Sequence, residues 1–340
     1  MKKLLASILI LCFCASAFTV CAQAASAEED AGASDEVITI LFGHDNNPGD
    51  PVQEAAEFWA EKLDEVSGGT MKLEIYPSGS LGSKAELIDQ MLMGDPVVAI
   101  GSGPFYADRG APDLGILEAP YLFESWEQLD KLMDSDWWEE QKVILEDNGL
   151  CILADNWRYG VRHTITTKPV EHVEDLKGMK IRTQNSTVHV LGFECLGAVP
   201  TPMALTEVYT SLAQGTIEGL ENPLSVIYSG KYYEVAKYLM LDGHIRNLTS
   251  ICIGADFFRS LTEQQQTWLI DTATEAGLYQ NELAEKADEE CLALLEDEGV
   301  TVTEVDPAEF KEAAASFYEF DEIKDSWSDG LYERIEDIIS

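Results

Sequence analysis

Between Thr262 and Glu298 the chain carries no proline, and its apolar residues recur at helical spacing: Leu269, Ile270, Ala273, Ala276, Leu283, Ala284, Ala287, Cys291 and Leu294. Ser260 with Glu263 reads as a capping box at the start, and Gly299 as the stop. A helix over this run would be about 55 Å long at ~1.5 Å per residue, longer than one compact domain. Only Gly277 interrupts it. The pattern is not a sustained heptad, so a helix crossing two domains is expected rather than a coiled coil. The rest of the chain must therefore supply two units for the helix to span.

The first unit is written in alternating elements. Residues 37–43, VITILFG, read as a buried strand, and Asp50-Pro51 as an N-cap followed by proline at the first helical position. Val52, Ala55, Ala56, Trp59, Leu63 and Val66 keep helical spacing until Gly68-Gly69. A strand at 72–76, a helix at 84–93 and a short apolar strand at 97–100 complete a β-α-β-α-β rhythm, the mark of an α/β domain with a largely parallel sheet. Ser125 and Gln128 pattern a capping box for a helix to about Met133, and a further helix ends at Gly149. Strands at 150–154 and 161–166 follow. From about residue 160 strands near 179–182 and 217–219 alternate with helices near 187–196 and 206–214, giving a second α/β unit.

The chain ends and the charge narrow the function. Lys2 and Lys3, an apolar run from Leu4 to Phe13 and Ala22-Gln23-Ala24 form an export signal over residues 1–24. Cys21 offers a rival, lipid attachment, although Val20 is a poor residue before such a cysteine. Residues 25–36 are small and acidic, a solvated tether. With 22 Lys plus Arg against 62 Asp plus Glu, nucleic acid is excluded as a partner, because its phosphates would be repelled. A small anion is not excluded, since charges beyond ~8 Å are largely screened while a buried guanidinium touches its ligand directly. Cys151, Cys195, Cys252 and Cys291 show no C-x-x-C pair, so zinc or thioredoxin-type chemistry is not expected; two bridges are permitted, but Cys151 and Cys252 read as buried strand cysteines.

Only seven arginines serve the chain, and Arg158, Arg162 and Arg182 fall within 25 residues. The planar guanidinium fork is the side chain best shaped to hold a carboxylate; neutralisation of neighbouring acids is the plainer reading. The arginines introduce a dense block: Gly160-Val161-Arg162, Asp175-Leu176-Lys177-Gly178-Met179-Lys180-Ile181-Arg182, Leu196-Gly197-Ala198, Pro200-Thr201-Pro202-Met203, Glu207-Val208-Tyr209 and Gly219-Leu220-Glu221-Asn222-Pro223. In order and spacing this block resembles the solute-binding proteins of TRAP transporters, the DctP-like family, and weaker similarity covers most of the mature chain, including residues 76–83 and 119–125. Leu205 stands where the family often has Phe, and Leu220 where Gln is common.

The resemblance implies an α/β, two-lobed periplasmic-binding-protein-like fold with a long helix spanning both lobes. Residues 37–159 with about 248–287 would form lobe I, and 160–247 with about 288–340 lobe II. It implies an exported receptor, a monomer, that binds a small carboxylate-containing solute and delivers it to TRAP-type membrane permease subunits. Carried over by motif, Arg182 would hold the carboxylate, with Arg162 and Asn222 assisting. His44 and Asn47 in the first strand-to-helix loop, Trp157 and Tyr159 before Arg162, and His189 are further candidates, each with a packing or loop reading beside it. No catalytic set, metal site or cofactor is expected: Tyr106 spoils the only glycine-rich dinucleotide pattern, and no G-x-S-x-G, H-E-x-x-H or P-loop occurs. The rivals are an ABC-type solute-binding protein and a secreted enzyme acting on acidic sugars.

Overall fold

The computed structural model describes residues 37–340, so the export signal, the tether and Cys21 lie outside the described residues. The strands are β1 (Ile38–Gly43), β2 (Met71–Tyr76), β3 (Val97–Gly101), β4 (Leu150–Thr166), β5 (Lys180–Thr183), β6 (Val199–Pro202), β7 (Gly219–Pro223), β8 (Tyr238–Gly254) and β9 (Thr301–Glu304). They join in one sheet, ordered β2-β1-β3-β8-β4-β7-β5-β6, with β9 on β8. β1 is parallel to β2 and β3, and β5 is parallel to β6 and β7. These parallel groups are the expected α/β units. Between them run β4 and β8, antiparallel and 17 residues each.

The expected strands at 150–154 and 161–166 are thus one strand. Its register slips repeatedly, including at Gly160, whose φ of 133° only glycine adopts without strain. Residues 150–158 pair with the far end of β8 beside β3, and residues 160–166 pair with its near end beside β7. Two strands therefore cross between the two lobes.

The long helix is Glu263–Asp297, 35 residues. Its cap is Thr262 with Gln265 rather than Ser260 with Glu263. Ser260 is the last residue of the preceding helix Ala255–Ser260, and its hydroxyl donates to the Phe257 carbonyl, so it cannot open a new one. Leu269, Ala273 and Ala276 enter one core with Ile40, Trp59 and Trp157, while Cys291 and Leu295 enter another with Ile165, Leu220 and Leu239. Gly277 does not break the helix. A Cβ there would sit 2.3 Å from Asn156 Oδ1 and 2.7 Å from Trp157 Cδ1, so glycine lets the helix lie tight against β4.

One boundary needs correction. Phe317, Ile323, Leu331, Ile335 and Ile339 pack with Leu129, Trp137 and Leu87, on the lobe I side, although 288–340 is expected in lobe II. Helix Leu331–Ile339 presents its apolar face to helix Trp126–Met133, so the chain end returns to the first lobe. The four cysteines are free.

Candidate functional site

A cavity of about 490 Å³ lies between the two parallel groups of strands, within the size range of small-molecule sites. Its lining comes from the β1 exit loop (His44, Asp45, Asn46), the start of helix Lys84–Leu92, the β3 end (Ile100, Ser102), and Tyr159 and Arg162 of β4. Arg182, Gln184 and Asn185 at the end of β5, Met203 to Leu205 after β6, and Asn222 of β7 line it too.

Arg182 and Arg162 are almost equally buried, at 3 % and 2 % exposure, and differ in what they touch. Arg162 is not at a strand start but inside β4, with β7 antiparallel beside it. Its Nε and one terminal nitrogen donate to the two carboxylate oxygens of Glu221, and the other terminal nitrogen to Asn247 Oδ1 at 2.8 Å. Asn247 Nδ2 in turn donates to Glu118 Oε1, and Glu118 pairs with His189 at 2.8 Å. On the other side His244 stands between Glu221, at 3.3 Å, and Asp242, at 2.9 Å. A continuous run of buried charges thus underlies the cavity. Burial opposes the charge on Glu221, but Arg162 and His244 outweigh it and hold the carboxyl well below its ordinary range. Burial likewise opposes the charge on His244, yet Asp242 and Glu221 push it up to about 9.

Arg182 has no such partner. Its Nε and one terminal nitrogen both donate to the Met203 carbonyl, at 3.0 and 2.8 Å, and no carboxylate among the described residues lies within ion-pair distance. The other terminal nitrogen stays free beside the cavity. Burial lowers the pKa of Arg182, with only partial compensation from Glu221 and Tyr232. A buried cation facing a cavity without a counter-ion is costly in isolation and is relieved by an incoming anion. Asn222 adds a side-chain amide, 2 % exposed, without a hydrogen-bond partner among the described residues.

The other candidates divide. Tyr159 lines the cavity, its ring about 6.0 Å from the Arg162 guanidinium carbon, and its hydroxyl accepts from Asn46 Nδ2 at 2.9 Å. His44 also lines it, 4 % exposed, with neither ring nitrogen hydrogen-bonded and Gln53 beside it out of bonding geometry; burial lowers its pKa to about 4. Asn47 does not line the cavity, since its amide bonds Ser78 and the Ser229 carbonyl. Trp157 is fully buried against Phe42 and Trp59 and donates to the Ala273 carbonyl, so it packs the core. His189 sits behind the cavity, held by Glu118, Ser186 and Gln184. Arg158 follows the plain reading, paired with Asp130 at the surface.

Sequence reasoning missed Lys84, and it covered Asp45 only as part of the loop from His44 to Asn47. Lys84 lines the cavity with its ammonium 4.4 Å from the Phe105 ring centre, and burial lowers its pKa. The Asp45 carboxylate opposes that lowering from outside ion-pair distance, and it acts in the same direction on Arg182. A lysine opening a helix after Ser83 reads as solvated, so only the fold could reveal its direction.

A family model described as bacterial extracellular solute-binding protein, family 7 (DctP), matches residues 42–325. The 2,3-diketo-L-gulonate-binding periplasmic protein of Escherichia coli is 32 % identical over 277 residues, covering 81 % of this chain and 84 % of that protein. A TRAP periplasmic solute-binding protein from Ochrobacterium anthropi, solved with bound L-fuconate, is 40 % identical with a TM-score of 0.86, covering 89 % of this chain and 100 % of that one. Another from Actinobacillus succinogenes, with bound L-galactonate, is 37 % identical with a TM-score of 0.85, covering 88 % and 99 %.

Proposed function

This chain belongs to the DctP family of bacterial extracellular solute-binding proteins, and from that premise we propose that it is the TRAP-type receptor for a small sugar acid, held by its carboxylate at Arg182. The observation that carries the reading is the guanidinium of Arg182, buried at the cavity wall with a backbone carbonyl as its only hydrogen-bond acceptor among the described residues. Two parallel donors to a carboxylate would satisfy it, each charge-assisted bond adding about 1.5–3 kcal/mol net. Arg162 assists through its remaining N–H, and Asn222 offers its free amide. Tyr159 and His44 shape the wall. The relatives bound to L-fuconate and L-galactonate support a sugar acid as the solute class.

The two lobes close over the ligand by bending where β4 and β8 cross, with β4 slipping register at Gly160. The protein acts outside the cytoplasm as a monomer and hands its solute to the membrane permease subunits of a TRAP transporter. A net charge of −40 favours fast, salt-sensitive encounters with that partner over a permanent apolar contact.

The test is calorimetric titration with a panel of sugar acids, followed by recovery of the ligand. One acid should bind with 1:1 stoichiometry and return unchanged. Chemical conversion of the acid would revive the secreted-enzyme reading, and no binding by any acid would overturn the receptor reading.

A further inference from the structure

The cavity lining also carries two charged groups that the family motif does not include, Lys84 and Asp45. Lys84, the first residue of helix Lys84–Leu92, keeps its ammonium 4.4 Å from the centre of the Phe105 ring. Lysines on a surface helix usually extend their charge into water; this one is half-buried, turned inward, and without an ion-pair or hydrogen-bond partner among the described residues. The aromatic face offsets part of its desolvation. Asp45, in the loop after β1, lines the same cavity and is likewise without an ion-pair partner among the described residues. Both side chains line one cavity and keep spare hydrogen-bonding capacity.

The charge count of the lining follows. Arg162 is neutralised in place by Glu221. Lys84 and Asp45 add one charge of each sign to the lining, and Glu207 is an exposed residue that accepts from the Ala204 backbone N–H. With those charges cancelling by sign, Arg182, which has no ion pair, leaves the lining with a net positive charge of one. A ligand with one carboxylate neutralises the cavity, while one with two carboxylates leaves a surplus negative charge beside Asp45 in a partly water-excluded space. Asn222 and Asn185 meanwhile bring amides with no protein partner among the described residues. Those amides, with the Lys84 donors and the Asp45 acceptor, suit hydroxyl groups, which can donate and accept at one atom.

We propose that Lys84 and Asp45 are the specificity-determining pair of this site, and that they fit it to a polyhydroxy monocarboxylate and against dicarboxylates. The proposal rests on the receptor reading above and adds to it the far end of the ligand. Sites built to hydrogen-bond hydroxyls reject analogues that lack them, so a plain C4-dicarboxylate fails on both counts. A six-carbon dicarboxylic sugar acid keeps the hydroxyls and fails on charge alone.

Three probes separate these terms by calorimetry: L-galactonate, galactarate and succinate, each against the wild-type protein, Asp45→Asn and Lys84→Met. Circular dichroism and melting temperature verify that each variant is folded. Wild type should bind L-galactonate at least tenfold more tightly than galactarate, and succinate more weakly still. Asp45→Asn, which removes the opposing carboxylate, should narrow the gap between L-galactonate and galactarate at least fivefold. Lys84→Met should weaken L-galactonate at least tenfold. Equal binding of L-galactonate and galactarate by wild type, or a gap unmoved in Asp45→Asn, would overturn the specificity proposal and leave the receptor reading standing. Failure of all three probes together with the wider acid panel would overturn both.

Discussion

The floor of the cavity and its open wall treat the same side chain in opposite ways. On the floor, Arg162 is clamped by Glu221 and Asn247 inside a run of buried ions. At the wall, Arg182 is held only by the Met203 carbonyl, with a terminal nitrogen to spare. Burial does not distinguish them, and neither does sequence motif. What differs is unused bonding capacity. The floor arginine has nearly all its N–H groups bonded within the protein, whereas the wall arginine keeps a terminal nitrogen free, as the proposed receptor role requires. Each prediction below strikes one side of this contrast.

The largest effect should come from the floor. Glu221→Gln leaves Arg162 buried without its counter-ion, and breaking a buried pair from one side costs about 3–5 kcal/mol. Urea denaturation should show that loss in the midpoint. A loss below about 1 kcal/mol would mean that the floor is not the structural half of the pair.

Arg182→Met should behave in reverse. It removes a desolvated charge and leaves the Met203 carbonyl short of donors, two effects of opposite sign. Folding stability should therefore change by no more than about 1 kcal/mol, while affinity for the bound acid falls roughly 100-fold, about 2.7 kcal/mol. A variant that unfolds yet binds normally under stabilising conditions would exchange the two roles.

The sequence made the wall easier to read than the floor. Arg182 stands in a short strand inside a dense motif, and the Asp50-Pro51 start, the early β-α alternation and the long helix all follow local rules. Much of the floor comes from β8, where the sequence shows a strand only around the apolar Cys252. Asp242, His244 and Asn247 can be buried in that strand because Asp242 and His244 pair with each other, His244 also meets Glu221 of β7, and Asn247 accepts from Arg162 of β4. They break the apolar alternation by which a strand is recognised. β6 was missed for a related reason: it holds Pro200 and Pro202, tolerable because it is an edge strand bonded only to β5. Trp157 and His189 were plausible beside the motif, but chain neighbours on a strand or helix point to different faces, and theirs are the core and the floor. Lys84 is far from Arg182 in the chain, so no local pattern could join it to the motif, whereas Asp45 falls in the loop from His44 to Asn47 that the strand-to-helix pattern marks.

The charge on the floor also gives a pH signature. His244 is raised from 6.5 to about 9, so the folded protein holds a proton that the unfolded chain releases between those values. Its contribution is complete below about pH 6.5 and is lost as pH rises through 9. On the acid side the shifts oppose each other. His44 and His163, both lowered to about 4, favour folding as pH rises from 4 to 6.5. Asp50 and Asp288, raised by burial to about 7 and about 6, disfavour it over much of that range. The clearest limb should therefore be alkaline, a decline on the order of 2 kcal/mol between pH 6.5 and 9. Urea midpoints across that window should flatten in His244→Gln. An unchanged slope would mean that the floor does not hold the proton at His244.

The smallest effect is the most discriminating, because it leaves the charge at the wall intact. Arg182→Lys keeps a cation but replaces the planar fork with a point charge on a flexible stem. Two roles of Arg182 depend on that fork: Nε with one terminal nitrogen grips the Met203 carbonyl, and the free terminal nitrogen faces the cavity. A single ammonium cannot hold the carbonyl and present parallel donors to a carboxylate together. Affinity should fall about tenfold, or ~1.4 kcal/mol. The loss should survive in high salt, because lost geometry is not restored or worsened by screening. Unchanged affinity in calorimetry, with the fold intact, would show that the wall supplies only charge. In that case Arg162, which also lines the cavity, would have to carry the carboxylate, and the division between floor and wall would disappear.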